Sequence, residues 1–226
     1  MKLASPQSSR LSGFTLVELL VVIGIIAILA AVVISGAGSA INAAKRMKTL
    51  AAGNQLVTAV QNYYTEYSFY PAPANTAVDT YYDSKNATAY KWGDMMVALC
   101  GGVDPGNPGA GQYSATPTIP NTRQISYLSP NRGDLDTTVK PAILKTPFTS
   151  SAGATQYYFM AVDTDYDNVL GSPTDGIVIP DFSKAKANTV LPQSQGITAG
   201  VAVWSNCDQN PSLTVATNPN FWVHTY

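Results

Sequence analysis

One histidine and two cysteines among 226 residues leave little material for common catalytic and metal chemistries. The histidine, His224, stands close to the carboxy terminus, and no Ser-His-Asp order, nucleophile elbow or phosphate loop is marked out around it. The chain is therefore not expected to be an enzyme. Cys100 and Cys207 are too few and too isolated for a zinc site. In an oxidising compartment they either pair or remain two buried thiols. Pairing would close a loop of about 100 residues, worth up to ~4–5 kcal/mol in the chain-entropy model. Charge is scarce as well: Asp, Glu, Lys and Arg make up 12% of the chain and the net charge is −1. Without a basic excess, nucleic acid is not expected as the main ligand.

What the chain does have is one long apolar run, residues 16–34, preceded by a polar leader carrying Lys2 and Arg10. About 20 apolar residues at about 1.5 Å each cover the hydrocarbon core of a bilayer. A single carboxylate, Glu18, lies inside the start of the run. A charge at the middle of a membrane helix costs roughly 2.5–3.5 kcal/mol, less near an end, and persists mainly where it has a partner. A secretory signal is cut after its apolar core. Here the plausible cut, after Gly13, precedes the apolar segment, so the helix would stay on the mature protein as an anchor.

Gly13 followed by Phe14-Thr15-Leu16-Val17-Glu18-Leu19-Leu20-Val21-Val22-Ile23 resembles the leader junction of type IV pilins and of the pseudopilins of type II secretion systems. The resemblance implies that a membrane-embedded prepilin peptidase cuts the Gly13–Phe14 bond and methylates the new amino terminus at Phe14. It also implies that Glu18 serves assembly. The physics agrees. Glu18 lies one helical turn from the Phe14 ammonium of its own chain. Across chains, its carboxylate can meet the amine of a neighbour in a medium of low dielectric. The competing account is an uncut signal anchor whose glutamate reaches the interface. Removing Lys2 and Arg10 takes the net charge from −1 to −3 before the new amine is counted. The leader's basic residues favour a cytoplasmic start. Lys45, Arg46 and Lys48, beyond the apolar run, pull the other way, yet the carboxy-terminal domain is placed outside, in the periplasm.

Gly36 and Gly38 lower helix stability by about 1 kcal/mol each relative to alanine, so the helix can loosen where it leaves lipid or on packing into a filament. Met47, Leu50, Val57, Val60, Tyr64 and Tyr67 then recur at helical spacing, with Gly53 as a weak spot. The helix should end near Tyr67, before Pro71 and Pro73, and pack its apolar face on the domain's own sheet. Tyr63-Tyr64-x-x-Tyr67-x-x-Tyr70-Pro71 resembles the close of the long helix in pseudopilins. Residues 72–89 and 103–120 read as loops. Met95, Met96, Leu99 and Cys100 suggest a short helix with Asp94 near its start and Gly101-Gly102 as its stop. Strand candidates are residues 156–162, 177–179, 200–205 and 221–226, with Val201 and Val203 on one face and Ala202 and Trp204 on the other.

The expected class is α+β, a long helix packed on a small antiparallel sheet. The expected divisions are a leader (1–13), a membrane and assembly helix (14–36), its amphipathic continuation (37–69) and a periplasmic domain (70–226). The order of elements is similar to the major pseudopilins. Their aspartate-proline-tryptophan-glycine turn is missing, with Thr146-Pro147-Phe148 in its neighbourhood.

Asp163-Thr164-Asp165-Tyr166-Asp167-Asn168 places three carboxylates at alternate positions, a spacing suited to a hard cation. Asn168 can replace glycine because it tolerates a left-handed backbone. Thr174 stands at the twelfth place, so the stretch is not an EF-hand; Asp175 beside it, and Asp181, are further possible oxygen donors. Major pseudopilins, which this resembles, hold one calcium in the sheet region. A solvated acidic turn, screened by salt, is the competing account. Two functions follow. The first is a structural subunit of a type II secretion pseudopilus or type IV pilus-like filament, supporting protein secretion. Its partners would be further copies of itself, other pseudopilins, the prepilin peptidase, the inner-membrane assembly platform and the membrane. The second is a membrane-tethered minor pilin, adhesin or ligand-binding module using loops 72–89 and 103–120.

Overall fold

In the computed structural model, residues 14–73, 78–83, 92–113, 119–149, 153–171, 196–206 and 222–225 are described. By the density of its contacts the chain falls into two compact units, residues 1–44 and 45–226. Helix α1 (Leu16–Tyr67) is one 52-residue element contributing to both. It is helical through Gly36 and Gly38. It ends where expected: Ser68 takes a left-handed backbone (φ 59°) with its N–H still bonded to the Tyr64 carbonyl, and Pro71 follows.

Among the described residues of 45–226, six antiparallel strands form one sheet: β1 (Thr80–Asp83), β2 (Leu135–Asp136), β3 (Ile143–Thr149), β4 (Thr155–Val162), β5 (Val201–Asn206) and β6 (Trp222–His224). β4 is central. β5 runs along one edge of it, with Phe159 opposite Trp204 and Ala161 opposite Ala202. Its other edge is shared in succession by β3, near Tyr157, and β1, from Phe159 to Val162. The alternation expected for residues 200–205 holds. Val201 and Val203 join Tyr158, Met160 and Val162 on the main core, while Ala202 and Trp204 join Phe159, Ala161 and Leu170 in a smaller cluster on the opposite face.

The main core is closed by the second half of α1 and by α2 (Trp92–Leu99), all of whose residues are buried. α2 stops at Gly101 and Gly102, both with positive φ, and Gly102 N–H returns to the Val97 carbonyl as in a Schellman ending. The buried face of α1 matches the expected one only in part. Val60 is buried and Val57 and Tyr67 pack on the core as expected, but Leu56, Ala59 and Tyr63 are also buried, whereas Met47 is 67% exposed and Tyr64 37%. Gly53 lies on the buried face: a Cβ there would meet Thr225 Cγ2 at 3.1 Å and Val203 Cγ1 at 3.7 Å. Its lack of a side chain lets the helix approach β5, so it is a contact point rather than a weak spot.

Two further differences concern strands. Residues 80–83, inside an expected loop, form β1. Residues 146–148, compared above with a turn, lie in β3, where the pairing register shifts between Lys145 and Thr149. Proline cannot donate to a ladder, and Pro147 is tolerated in this interior strand because it falls in that irregularity. The strand candidate at residues 177–179 lies outside the described residues.

Candidate functional site

At the amino end, Glu18 is held by its own first turn. Its Oε2 accepts the Thr15 N–H at 2.9 Å and the Thr15 hydroxyl at 2.7 Å, while Glu18 N–H donates to Thr15 Oγ1 at 3.2 Å. This reciprocal pair is a capping box, Thr15-x-x-Glu18, which satisfies orphan donors at the helix start. The signal lies in the sequence as Thr15-Leu16-Val17-Glu18, a Thr three residues before a Glu at the start of an apolar run. The large apolar side chains that follow are exposed on every face, from Leu16 (79%) to Ile34 (73%). The helix is long and apolar enough to cross a membrane. Gly13 and the leader lie outside the described residues; Phe14 is 77% exposed.

The basic residues beyond the apolar run are used by the 45–226 unit. Lys48 forms an ion pair with Asp134 in the short 3-10 turn Arg132–Asp134. Lys45 Nζ stands 5.9 Å from the centroid of the Phe148 ring. Their charge is therefore partly absorbed by the fold, which weakens their claim on orientation.

The acidic loop follows β4 directly. The register that pairs Thr80 with Val162 continues to set Asp79 opposite Asp163. One carboxylate oxygen from each of Asp79, Asp163 and Asp165 lies within 4.8 Å of the others. Asp163 is 2% exposed: its Oδ2 accepts the Asn168 N–H at 3.0 Å, and its Oδ1 is buried with no hydrogen-bond partner. Burial pushes the Asp163 carboxyl above its usual range, the Asn168 and Tyr166 amides pull it back, and neighbouring Asp165 raises it again. Asp79 is buried, and its Oδ2 accepts the Gly171 N–H at 3.1 Å. Like charges directly across a ladder repel. A buried carboxylate oxygen without a donor is costly unless something positive faces it. An all-oxygen cluster of this kind fits a hard cation such as calcium.

Of the residues singled out from the sequence, the structure brings Asp163 and Asp165 together. Asp167 is not in the cluster; its Oδ1 accepts the Val169 N–H at 2.7 Å. Asn168 has the left-handed backbone expected of it, φ 66°, and serves Asp163 through its amide. Asp175 and Asp181 lie outside the described residues. Asp79 was missed, because it lies far upstream in a stretch without periodicity, and only the β1–β4 register reveals it.

Cys100 is buried, and burial first, with the Asp104 charge second, pushes its thiol up to about 12. Its suggested partner Cys207 lies outside the described residues. A cleft of about 410 Å³ beside α1 is lined by Asn54, Gln55, Thr58, Tyr127 and Ser129 among others, with no carboxylate, histidine or lysine among the described residues.

Residues 9–34 match the family described as the prokaryotic N-terminal methylation motif. The match supports a type IV pilin-like class of protein, processed at its amino end by prepilin peptidase and anchored by one apolar helix. No curated protein and no solved structure matches the chain.

Proposed function

We propose that this chain is a structural subunit of a type II secretion pseudopilus or type IV pilus-like filament, assembled from the inner membrane and supporting protein secretion. The observation that carries the reading is a lone carboxylate, Glu18, at the head of an apolar helix exposed on all sides, inside the methylation motif. Such a helix requires lipid or other helices around it, and a cation near its acid would relieve the charge further than the Thr15 cap does. Cleavage at Gly13–Phe14 creates that cation as the Phe14 ammonium. The carboxy-terminal domain then faces the periplasm, and the partners are other copies of the chain, other pseudopilins and the assembly platform. The work is mechanical, and the chemistry is done on the chain by the peptidase.

Mass spectrometry of assembled material is expected to find a methylated Phe14 as the first residue; an intact Met1 would overturn the reading. Glu18→Ala should insert into the membrane normally yet yield no filaments, and unchanged yield would favour the tethered module.

On the same reading, Asp79, Asp163 and Asp165 hold one calcium ion, with Asp175 a candidate further donor. What supports this is the orphaned, buried Oδ1 of Asp163 within the carboxylate cluster. Calcium at 100 times its Kd should stabilise the fold by about 2.7 kcal/mol, a rise of roughly 5–10 °C in the thermal midpoint. Identical melting in calcium and in chelator would discard the ion.

A further inference from the structure

The acidic loop also reaches the carboxy-terminal end of α1. The Tyr166 ring, at the heart of the loop, stacks on Tyr70 with centroids 5.8 Å apart and planes 17° from parallel. Tyr70 in turn stacks on Tyr64, in the last turn of α1, at 4.5 Å and 25°. The Tyr70 N–H points to the Tyr166 hydroxyl at 3.4 Å. From its other end, the Tyr70 hydroxyl presses on Gly200, where a Cβ would lie only 2.1 Å from it, and the Gly200 carbonyl accepts the Asp163 N–H at 3.0 Å. Tyr70 thus touches the carboxylate site by two routes, one through Tyr166 and one through Gly200.

Tyr166 holds a left-handed backbone, φ 65°. Residues with a Cβ disfavour that conformation, and it persists only where the surroundings impose it. Two sets of contacts impose it here. The aromatic stack grips the ring, and the carboxylates of Asp79, Asp163 and Asp165 gather when their mutual repulsion is neutralised. The loop is also tied to the chain entering β1, since the Thr164 hydroxyl donates to the Val78 carbonyl at 2.8 Å and shares a hydrogen bond with Thr80 at 3.1 Å.

We propose that a divalent cation held by Asp79, Asp163 and Asp165 fixes the end of α1, through Tyr166 stacked on Tyr70 and Tyr64. The inference rests on the calcium reading above and adds a conformational consequence to it. With the ion present, residues 163–171 close around it and Tyr166 clamps Tyr70 against the helix. Without it, Asp163 and Asp165 repel each other and Asp79, Tyr166 leaves the stack, and the last turn of α1 loses its cover.

The test is hydrogen exchange of the full mature chain in detergent micelles, with and without calcium chloride, alongside calorimetric titration of calcium. Calcium should slow exchange about tenfold in residues 163–171 and in residues 61–72. Tyr166→Ala should bind calcium within about threefold of the parent and protect 163–171, yet leave 61–72 unresponsive. Tyr166→Phe, which keeps the ring, should respond like the parent. Should Tyr166→Ala itself lose calcium, Tyr64→Ala, on the helix and away from the carboxylates, gives the same contrast. Calcium binding without any change at 61–72, or an undiminished change there in both alanine variants, overturns the inference and leaves the calcium site standing. No heat and no protection anywhere in the parent overturns the calcium reading and this inference together.

Discussion

The two halves of α1 share one backbone and face opposite problems. From Leu16 to Ile34 the large side chains are all exposed, with no face set apart. Further along, Leu56, Val60 and Tyr63 are fully buried, while Asn54, Gln55 and Gln61 stand in solvent. A helix that is apolar all round belongs in lipid or among other helices, and one with a single apolar stripe belongs against a core. Sequence hydrophobicity is higher in the half whose large side chains are exposed among the described residues. Apolar content therefore reports the solvent a segment expects, and only its periodicity reports the partner.

The sharpest way to break this comparison is to remove the same side chain from each half. Leu56→Ala should cost ~2–5 kcal/mol, because its side chain is fully buried in the main core. Leu29→Ala, whose side chain is exposed among the described residues, should change the unfolding free energy by no more than about 0.5 kcal/mol. Chemical denaturation of both variants in micelles gives the answer. Equal losses would mean that the apolar half packs on something within the chain.

The elements legible in the sequence were those whose patterns are local and unopposed. α2 was marked by its glycine stop, β4 by its aromatic run, β5 by its alternation, and the end of α1 by Pro71. β1 was hidden because Thr80-Tyr81-Tyr82-Asp83 sits in a polar stretch and is a strand by virtue of its pairing with β4. β3 was hidden by Pro147. The inward face of α1 was legible at Val57, Val60 and Tyr67 but not throughout, because Met47 and Tyr64 satisfy the helical period yet are exposed, while Gly53, with no side chain, lies on the buried face. At the candidate sites the same rule holds. The motif around Glu18 is contiguous and was readable. Asp79 meets Asp163 only through strand register.

The next contrast concerns charge. Within the domain, Asp136 is 9% exposed and accepts from Thr138 N–H at 2.9 Å, Thr138 hydroxyl at 2.5 Å and Tyr157 hydroxyl at 2.5 Å. Burial works to raise its carboxyl, but these hydrogen bonds outweigh it and hold it below the usual range. A depressed carboxyl contributes stability above its unfolded value of about 3.9 and loses it as pH falls further. Tyr157 is pushed the other way, to about 12, by burial first and then by Asp136. Its share is complete below about pH 10 and lost as pH rises towards the folded value. Asp136→Asn should cost ~1–3 kcal/mol at neutral pH and flatten the acid limb of a plot of thermal midpoint against pH. An unaltered acid limb would show that other carboxylates set it.

A smaller, local effect falls at the amino end of the described chain and separates two roles for one carboxylate. Thr15→Ala removes the capping partner of Glu18 but leaves the acid, and should loosen only the first turn of α1, by ~1 kcal/mol. Hydrogen exchange at residues 16–19 in micelles should report it, while the domain's unfolding midpoint stays put. If the carboxylate matters because it meets the amine of a neighbour, Thr15→Ala should still assemble where Glu18→Ala does not, since freeing Glu18 from its own cap leaves it available to a second chain. Equal loss of filaments in both variants would place the requirement in the capped first turn itself, and the intermolecular ion pair would no longer be needed to explain why an acid persists among so many apolar residues.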